Sequence, residues 1–473
     1  MSAFTQHTQN MYKVPVIPAR QMFYKKQEMP NKLDYKAICV FAALGFFLED
    51  DTYYTNLKVL KPGLAYNISH DGYAEHHPWF EWYYEPKERD FDTIVDEFGS
   101  LLESIMEEQI NTRQVILPLS GGLDSRTQAV ALKRLGKKTA SYSYFFHGGL
   151  NEANYGKKIA KRCGFDFYPL EVQKGYLWNY IERLAQINEC YSDFTHPRQM
   201  AFIDKFASMG DLFSLGHWGD VLFDDMGVPD DLSFDMQIKV LLKKLVKKSG
   251  YELGEQLWEF WHLEGSFKEY VTERVRTLLE KINIVNANAR IRAFKSLNWA
   301  PRWTSVNLSV FEQIHPITLP YYDERMCNFI CSIPERYLAQ RKIQIAYIKK
   351  YAPDLAEIQW QEHRPFNLYT YQWDKAPWNY PYRIQNKLLT GIRSIVNHEP
   401  VQRNWELQFV GDENENGLKK WLFHSPSFKE FISEDIVQMM YEKFLHTDRV
   451  WYSHSVSMLL TLSVWSTLFR NSV

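Results

Sequence analysis

Six consecutive residues, Ser120-Gly121-Gly122-Leu123-Asp124-Ser125, combine bare backbone, hydroxyls and a carboxylate at one turn of the chain. Two glycines let a ligand approach the main chain closely. A helix starting just after them would aim its unsatisfied N–H groups at an anion. Ser120 and Ser125 add hydroxyl donors. No Lys follows at the Walker position and no GxGxxG occurs, so the stretch is neither a Walker loop nor a dinucleotide fingerprint. Asp124 would repel a bound phosphate unless a divalent cation lies between them. The plainer reading makes Asp124 and Ser125 helix caps in a connecting turn.

The loop needs a strand to end it and a helix to start from it. Gln114–Leu119 is a continuous apolar run, as expected of a strand buried on both faces. Helical spacing follows from Asp124 to Leu135 and stops at Gly136. Thr139–Phe146 is a second β-rich run, Asn151–Arg162 a helix ending at Gly164, and Phe165–Val172 a third strand. This alternation predicts an α/β fold with a doubly wound parallel sheet, in which ligands bind at the carboxyl ends of the strands. An amphipathic helix through Ile94, Phe98, Leu101, Leu102, Ile105 and Met106 leads in. Past about Asp230 the pattern is mostly helical, with Val456–Phe469 as a buried last helix.

Before the linker Glu85–Asp90, the text differs. Residues 1–30 read as an irregular arm. Residues 35–84 read as a small β-rich module, its apolar runs Ala37–Leu44, Lys58–Leu60 and Leu64–Ile68 separated by Lys61-Pro62-Gly63 and His70-Asp71-Gly72. The aromatics Trp79–Tyr84 are expected to glue this module to the rest.

Composition narrows the classes. Of 473 residues, 45% are hydrophobic and 24% charged, which excludes a disordered chain. A net charge of −2 supplies no global field for nucleic acid, although a local basic surface stays open. Five cysteines without a CxxC pair offer neither a disulfide scaffold nor a zinc ribbon, and Cys327 and Cys331 read as core thiols. The first residues lack a signal-peptide core, and Val456–Phe469 is shorter than the roughly 20 residues of a membrane span. The expectation is a cytoplasmic protein with no membrane partner. Leu241–Lys248 reads as a solvated helix face.

SGGLDS in this setting resembles the PP-loop of the N-type ATP pyrophosphatases, which have a HUP-like fold and cleave ATP to AMP and pyrophosphate. Leu212–Phe223 (LFSLGHWGDVLF) resembles the asparagine synthetase motif S-G-E-G-x-D-E-x-F, with the helical run Gln199–Met209 upstream. Pro316–Pro334 and Val456–Phe469 resemble later parts of that family. The resemblance covers residues 91–473. Thr52–Gly63 resembles the end of the family's glutaminase domain, so residues 1–90 are expected to be a truncated remnant of it. The catalytic Cys of that domain has no counterpart, and Ser2 reads as inert. Where the family has Glu, this chain has His217, and G-H-W-G-D is closer to the version in lasso-peptide cyclases.

The resemblance implies ATP and Mg2+ as cofactors. It assigns ATP binding to Leu119, Ser120, Gly121, Gly122, Leu123, Asp124, Ser125, Tyr144 and Gly216, and metal binding to Asp124 and Asp220. Asp220 has a plainer reading as a helix cap. His217 would take a proton from an attacking amine, its reference pKa of about 6.5 suiting the task; otherwise it bonds a backbone carbonyl. The family's late Lys, which steadies pyrophosphate, is missing from Trp360–Phe366, where His363 or Arg364 would stand in. The implied activity is an AMP-forming ligase joining a small-molecule or peptide carboxylate to ammonia or an amine. It would act as a homodimer or with a separate ammonia-supplying or peptide-delivering partner. Two rivals are an RNA-modifying PP-loop enzyme (a tRNA thiolase or lysidine synthetase) and a non-catalytic nucleotide-binding scaffold. The neutral charge and the G-H-W-G-D segment weigh against the first, the paired aspartates against the second. Neither the carboxylate nor the amine can be named from the sequence.

Overall fold

The computed structural model describes residues 11–26, 32–68, 74–384 and 404–470. Ser2 and the His70-Asp71-Gly72 turn lie outside the described residues.

Strand β6 (Val115–Pro118) is the central element of a five-stranded sheet, after β1 (Tyr12–Lys13), β2 (Phe23–Lys25), β3 (Leu57–Val59), β4 (Leu64–Ile68) and β5 (Ala74–Pro78) of the N-terminal region. It pairs in parallel with β7 (Thr139–Phe146) on one side and β9 (Leu212–Ser214) on the other. Beyond them lie β8 (Asp166–Val172) and β10 (Ile317–Thr318), also parallel, giving the order β10-β9-β6-β7-β8. Val115, Ile116 and Leu117 are fully buried, which is why β6 is apolar without alternation. The strand order reverses between β6 and β9. Loops leaving these two neighbours diverge, and the crevice between them is where such sheets hold ligands.

Helices α2 (Phe91–Ile110), α3 (Leu123–Arg134) and α4 (Ala153–Cys163) follow the expected positions within a few residues, and α5 (Tyr176–Asn188) is a further helix after β8 that the sequence reading did not include. Asp90 caps α2, its Oδ2 accepting from the Thr93 N–H at 3.2 Å. The last helix, Arg449–Leu468, is buried from Ser455 to Ser466. Cys327 and Cys331 are buried free thiols. Among the described residues, no helix is long and apolar enough to cross a membrane.

Two expectations for the N-terminal region are corrected. The presumed irregular arm contributes β1, paired antiparallel with β4, and β2, paired antiparallel with β3. Ala37–Leu44 is not a strand but most of helix α1 (Tyr35–Leu44). It is buried all round, so its sequence carries no amphipathic period to betray a helix. Its signals were the ends. Asp34 accepts from the Ala37 N–H at 3.0 Å, and Gly45 closes the helix at φ +83°. Helix α1 lies in the same continuous core as the sheet's helices. It packs on helix Gly250–Phe260 so closely that a Cβ at Gly250 would overlap the Ala43 carbonyl. Tyr83 donates to Asn328 at 3.2 Å and the Tyr84 hydroxyl accepts from the Glu335 N–H at 3.0 Å, so these aromatics do join the N-terminal region to the helical half.

One buried ion pair ties that half to the loop after β9. The Arg292 guanidinium makes two bonds of 2.7 Å to the Glu335 carboxylate and donates to the Val221 and Asp224 carbonyls at 3.2 and 2.9 Å. The side chains are 3% and 5% exposed. Arg292→Ala would strand the Glu335 carboxylate and two carbonyls, so a loss of about 3–5 kcal/mol in unfolding free energy is expected. Denaturant titration checks it, and a loss below about 1 kcal/mol would contradict this role.

Candidate active site

The β6–α3 turn is shaped by its own hydroxyls. The Ser120 N–H donates to Ser125 Oγ at 3.1 Å, and the Gly122 N–H donates to Ser120 Oγ at 3.2 Å. Gly122 is the residue just before α3, in the capping position, and no side chain caps the helix there. Asp124 and Ser125 are therefore not caps, and the start of a 12-residue helix opens toward the crevice with its positive dipole end. Behind the loop, the fully buried Arg126 donates to the carbonyls of Gly121 (3.1 Å), Gln359 (2.9 Å) and Ile358 (3.0 Å). Burial pushes this guanidinium down to about 10.

The second loop, Leu215–Asp220, lies directly against the start of α3. An added Cβ at Gly216 would stand 3.0 Å from Asp124 Cβ. One at Gly219 would overlap Asp124 Oδ1 and stand 2.8 Å from both its Cγ and Tyr321 Cε2. Only glycine permits this approach. Trp218 turns the loop at φ +75°, and its indole N–H donates to Ser296 Oγ at 3.0 Å. The short helix Gly219–Leu222 then presents Asp220 to the crevice.

The two loops border a cleft of about 760 Å³, large for a small-molecule site. Leu119, Ser120, Asp124, Ser125, Tyr144, Gly216, His217 and Asp220 all line it. Tyr144 accepts from Arg198 at 3.3 Å, and Arg198 is itself part of the lining. Leu123 instead enters the core, only 3% exposed, and Gly121 is covered by Gln361. The charged lining is balanced, with Asp124, Glu152 and Asp220 facing Arg198 and Lys295, so among the described residues the cleft is not a basic groove.

Asp124 is held by the Arg341 guanidinium and by Gln344, whose Nε2 donates at 3.1 Å. Burial, aided by the charge of Asp220, pushes its carboxyl up to about 6 against the pull of Arg341. Among the described residues no group of three or more His, Cys, Asp or Glu gathers to hold a metal. Two carboxylates in a cleft still suit Mg2+, which takes one or two protein oxygens and fills its shell with phosphate oxygens and water.

His217 does not keep the reference basicity expected of it. Burial pushes its imidazole down to about 4, with Asp220 opposing, and among the described residues its Nδ1 has no hydrogen-bond partner. The alternative of a bond from that nitrogen to a backbone carbonyl is thus not seen. His363 and Arg364, the two choices for a late cation, are absent from the described lining of the cleft. His363 pairs with Asp374 at 3.0 Å and packs on Trp360, while Arg364 is exposed. The residue that this segment brings to the loop is Gln361: its Oε1 accepts from the Gly121 N–H at 3.1 Å and its Nε2 donates to Glu152. Gln361, Arg341 and Lys295 escaped the sequence reading because each comes from the helical half, where no motif marks it.

Residues 97–298 match the family model of asparagine synthase. They form an asparagine synthase-type domain. The match takes in both loops of the cleft and Lys295. No curated protein matches the chain. Among solved structures, NMN synthetase from Francisella tularensis is 14% identical over 40% of this chain and 93% of that one, with a TM-score of 0.22.

The close seating of the second loop generates a test independent of any ligand. Gly219→Ala should cost about 1–3 kcal/mol of stability, the usual penalty for overpacking. Thermal unfolding measures it, and an unchanged midpoint would mean that the loop does not press on Asp124.

Proposed function

We propose that the protein is an ATP-dependent, AMP-forming ligase that adenylates a carboxylate and transfers the acyl group to ammonia or an amine. The observation that carries this reading is the facing pair of loops. An uncapped helix start with two glycines and two serines lies opposite a carboxylate-bearing turn, at the switch point of a parallel sheet. The asparagine synthase match over residues 97–298 supports the same chemistry.

In this mechanism the Ser120–Ser125 loop receives the β- and γ-phosphates. The substrate carboxylate oxygen attacks the α-phosphorus, the bond to the β-phosphate oxygen breaks, and pyrophosphate departs. Asp124 and Asp220 would hold Mg2+, which when bound supplies positive charge against the phosphates. Arg341, already on Asp124, is placed to orient that carboxylate. The amine then attacks the acyl carbon and AMP leaves with the bonding electrons. His217, kept neutral by burial, is the proton acceptor at the cleft wall. Its low basicity places its contribution near the lower end of the usual general-base range, about 10²-fold. Positioning and charge neutralisation supply most of the rate. The balanced lining of the cleft favours this reading over an RNA substrate.

Gly122→Val is the first test. The backbone at Gly122 is extended and an added Cβ meets only Ser120 Oγ, at 3.3 Å, so the fold should survive while the methyls fill the phosphate position. ATP binding, followed calorimetrically, should be lost; unchanged affinity would remove the reading. Two further variants separate the steps. Asp220→Asn should lose most ATP–pyrophosphate exchange. His217→Ala should spare exchange and slow amide formation by about 10²-fold. Equal loss of both rates in His217→Ala would make His217 a positioning residue rather than a base.

A further inference from the structure

We propose that Lys295 docks the carboxylate of the substrate, at an end of the cleft shaped for an acid with an apolar body. This rests on the adenylating reading above and names the class of acid.

The cleft has two chemically distinct ends. One is the glycine loop, rich in N–H and hydroxyl donors. The other is formed by Trp218, Val221, Lys295, Trp299 and Trp303. Lys295 projects from helix Ala287–Asn298, with its ammonium 5.6 Å from the centre of the Trp218 ring and 5.3 Å from that of Trp299. Aromatic faces hold it by cation–π attraction. Among the described residues it has no ion-pair partner, although it feels the charge of Asp220. A half-buried ammonium in an aromatic frame, facing an open cleft, still has donors to give to an anion.

The phosphates do not require that cation. They already have the helix start and the serines of the glycine loop, and the acids whose charge Lys295 feels belong to the second loop and its following turn, Asp220 and Asp224. Lys295 is therefore placed on the side from which the attacking carboxylate enters. The remaining surface at this end is mostly indole and aliphatic, with the Thr304 hydroxyl the one neutral polar side chain beside Trp303 among the described residues. A free amino acid such as aspartate would also bring an ammonium, whose only carboxylate partner in this part of the lining, among the described residues, is Asp220, a metal-binding candidate. An acid carried on an apolar group, free or at the end of a larger molecule, leaves no such charge unmatched.

The test uses the full chain, Mg2+, the non-cleavable α,β-methylene analogue of ATP, and 3-phenylpropanoate as the acid probe. Calorimetry on the wild type should show analogue binding and then saturable binding of 3-phenylpropanoate. Lys295→Met should weaken the acid by at least about tenfold, as expected for a lost charged hydrogen bond, and shift the analogue affinity by less than about twofold. Lys295→Arg should restore acid binding to within about threefold, which a merely structural role would not produce. L-aspartate should compete poorly with the probe. The proposal is overturned if 3-phenylpropanoate fails to bind the wild type, binds Lys295→Met equally, or is displaced by aspartate at lower concentration than its own. Loss of analogue binding in Lys295→Met would also overturn it, assigning Lys295 to the nucleotide or to the fold. If the wild type binds the acid in a Lys295-dependent way but not the ATP analogue, this inference survives and the adenylating reading falls.

Discussion

The site depends on one close contact, the seating of the Gly216–Asp220 loop against the first turn of α3. Interiors pack too tightly for a chain segment to approach a carboxylate-bearing helix turn if side chains intervene. With hydrogens at Gly216 and Gly219, the loop comes within van der Waals distance of Asp124. This brings a carboxylate from each of two neighbouring strands' loops to one crevice. Their mutual repulsion is part of what raises the Asp124 carboxyl, and the Arg341 guanidinium offsets it. An arrangement that concentrates negative charge in this way is stable as it stands because a buried cation neutralises part of it. It is also suited to hold a divalent ion and polyphosphate together.

The helical half holds these loops in place from behind. Arg126 bonds the glycine loop's carbonyl together with three carbonyls of the Leu355–Gln361 segment, and Arg292 bonds two carbonyls beside Asp220. Each guanidinium offers several donors in a fixed plane, which suits it to clamp irregular backbone that has no ladder of its own. The cleft is thus built on loops but positioned by rigid elements. Tyr84 extends the second clamp to the N-terminal region by bonding the Glu335 backbone.

What the sequence disclosed follows from how far each signal reaches along the chain. The sheet from Val115 to Val172 was legible because its strands are apolar or β-rich runs and the helices between them stop at glycines, all local features. The two loops were legible because glycine, serine and aspartate at fixed spacing are rare without a reason. Helix α1 was misread because burial on every side erased its period. The readings of His363 and Arg364 looked for charge at the right segment, yet the side chain that reaches the loop is neutral Gln361. Lys295 and Arg198 enter the cleft, and Arg341 reaches Asp124, through packing between elements distant in sequence, and no spacing rule encodes that. The basicity of His217 was missed for the same reason, since desolvation is a property of neighbours rather than of the residue.

The amide of Gln361 gives the glycine loop an occupant of its own. Its carbonyl oxygen takes the Gly121 N–H much as a phosphate oxygen would, and its nitrogen is anchored on Glu152. A loop that must bind an anion ordinarily leaves donors unpaired whenever the anion is gone, at a cost of about 1–3 kcal/mol for each buried one. Here that donor stays paired between ligands. A phosphate taking this N–H therefore replaces one acceptor with another, so the swap adds little to affinity at this position. On the proposed reading, grip on a polyphosphate would come from the helix start and the hydroxyls, while the Gln361 amide keeps the Gly121 N–H paired and the loop in shape.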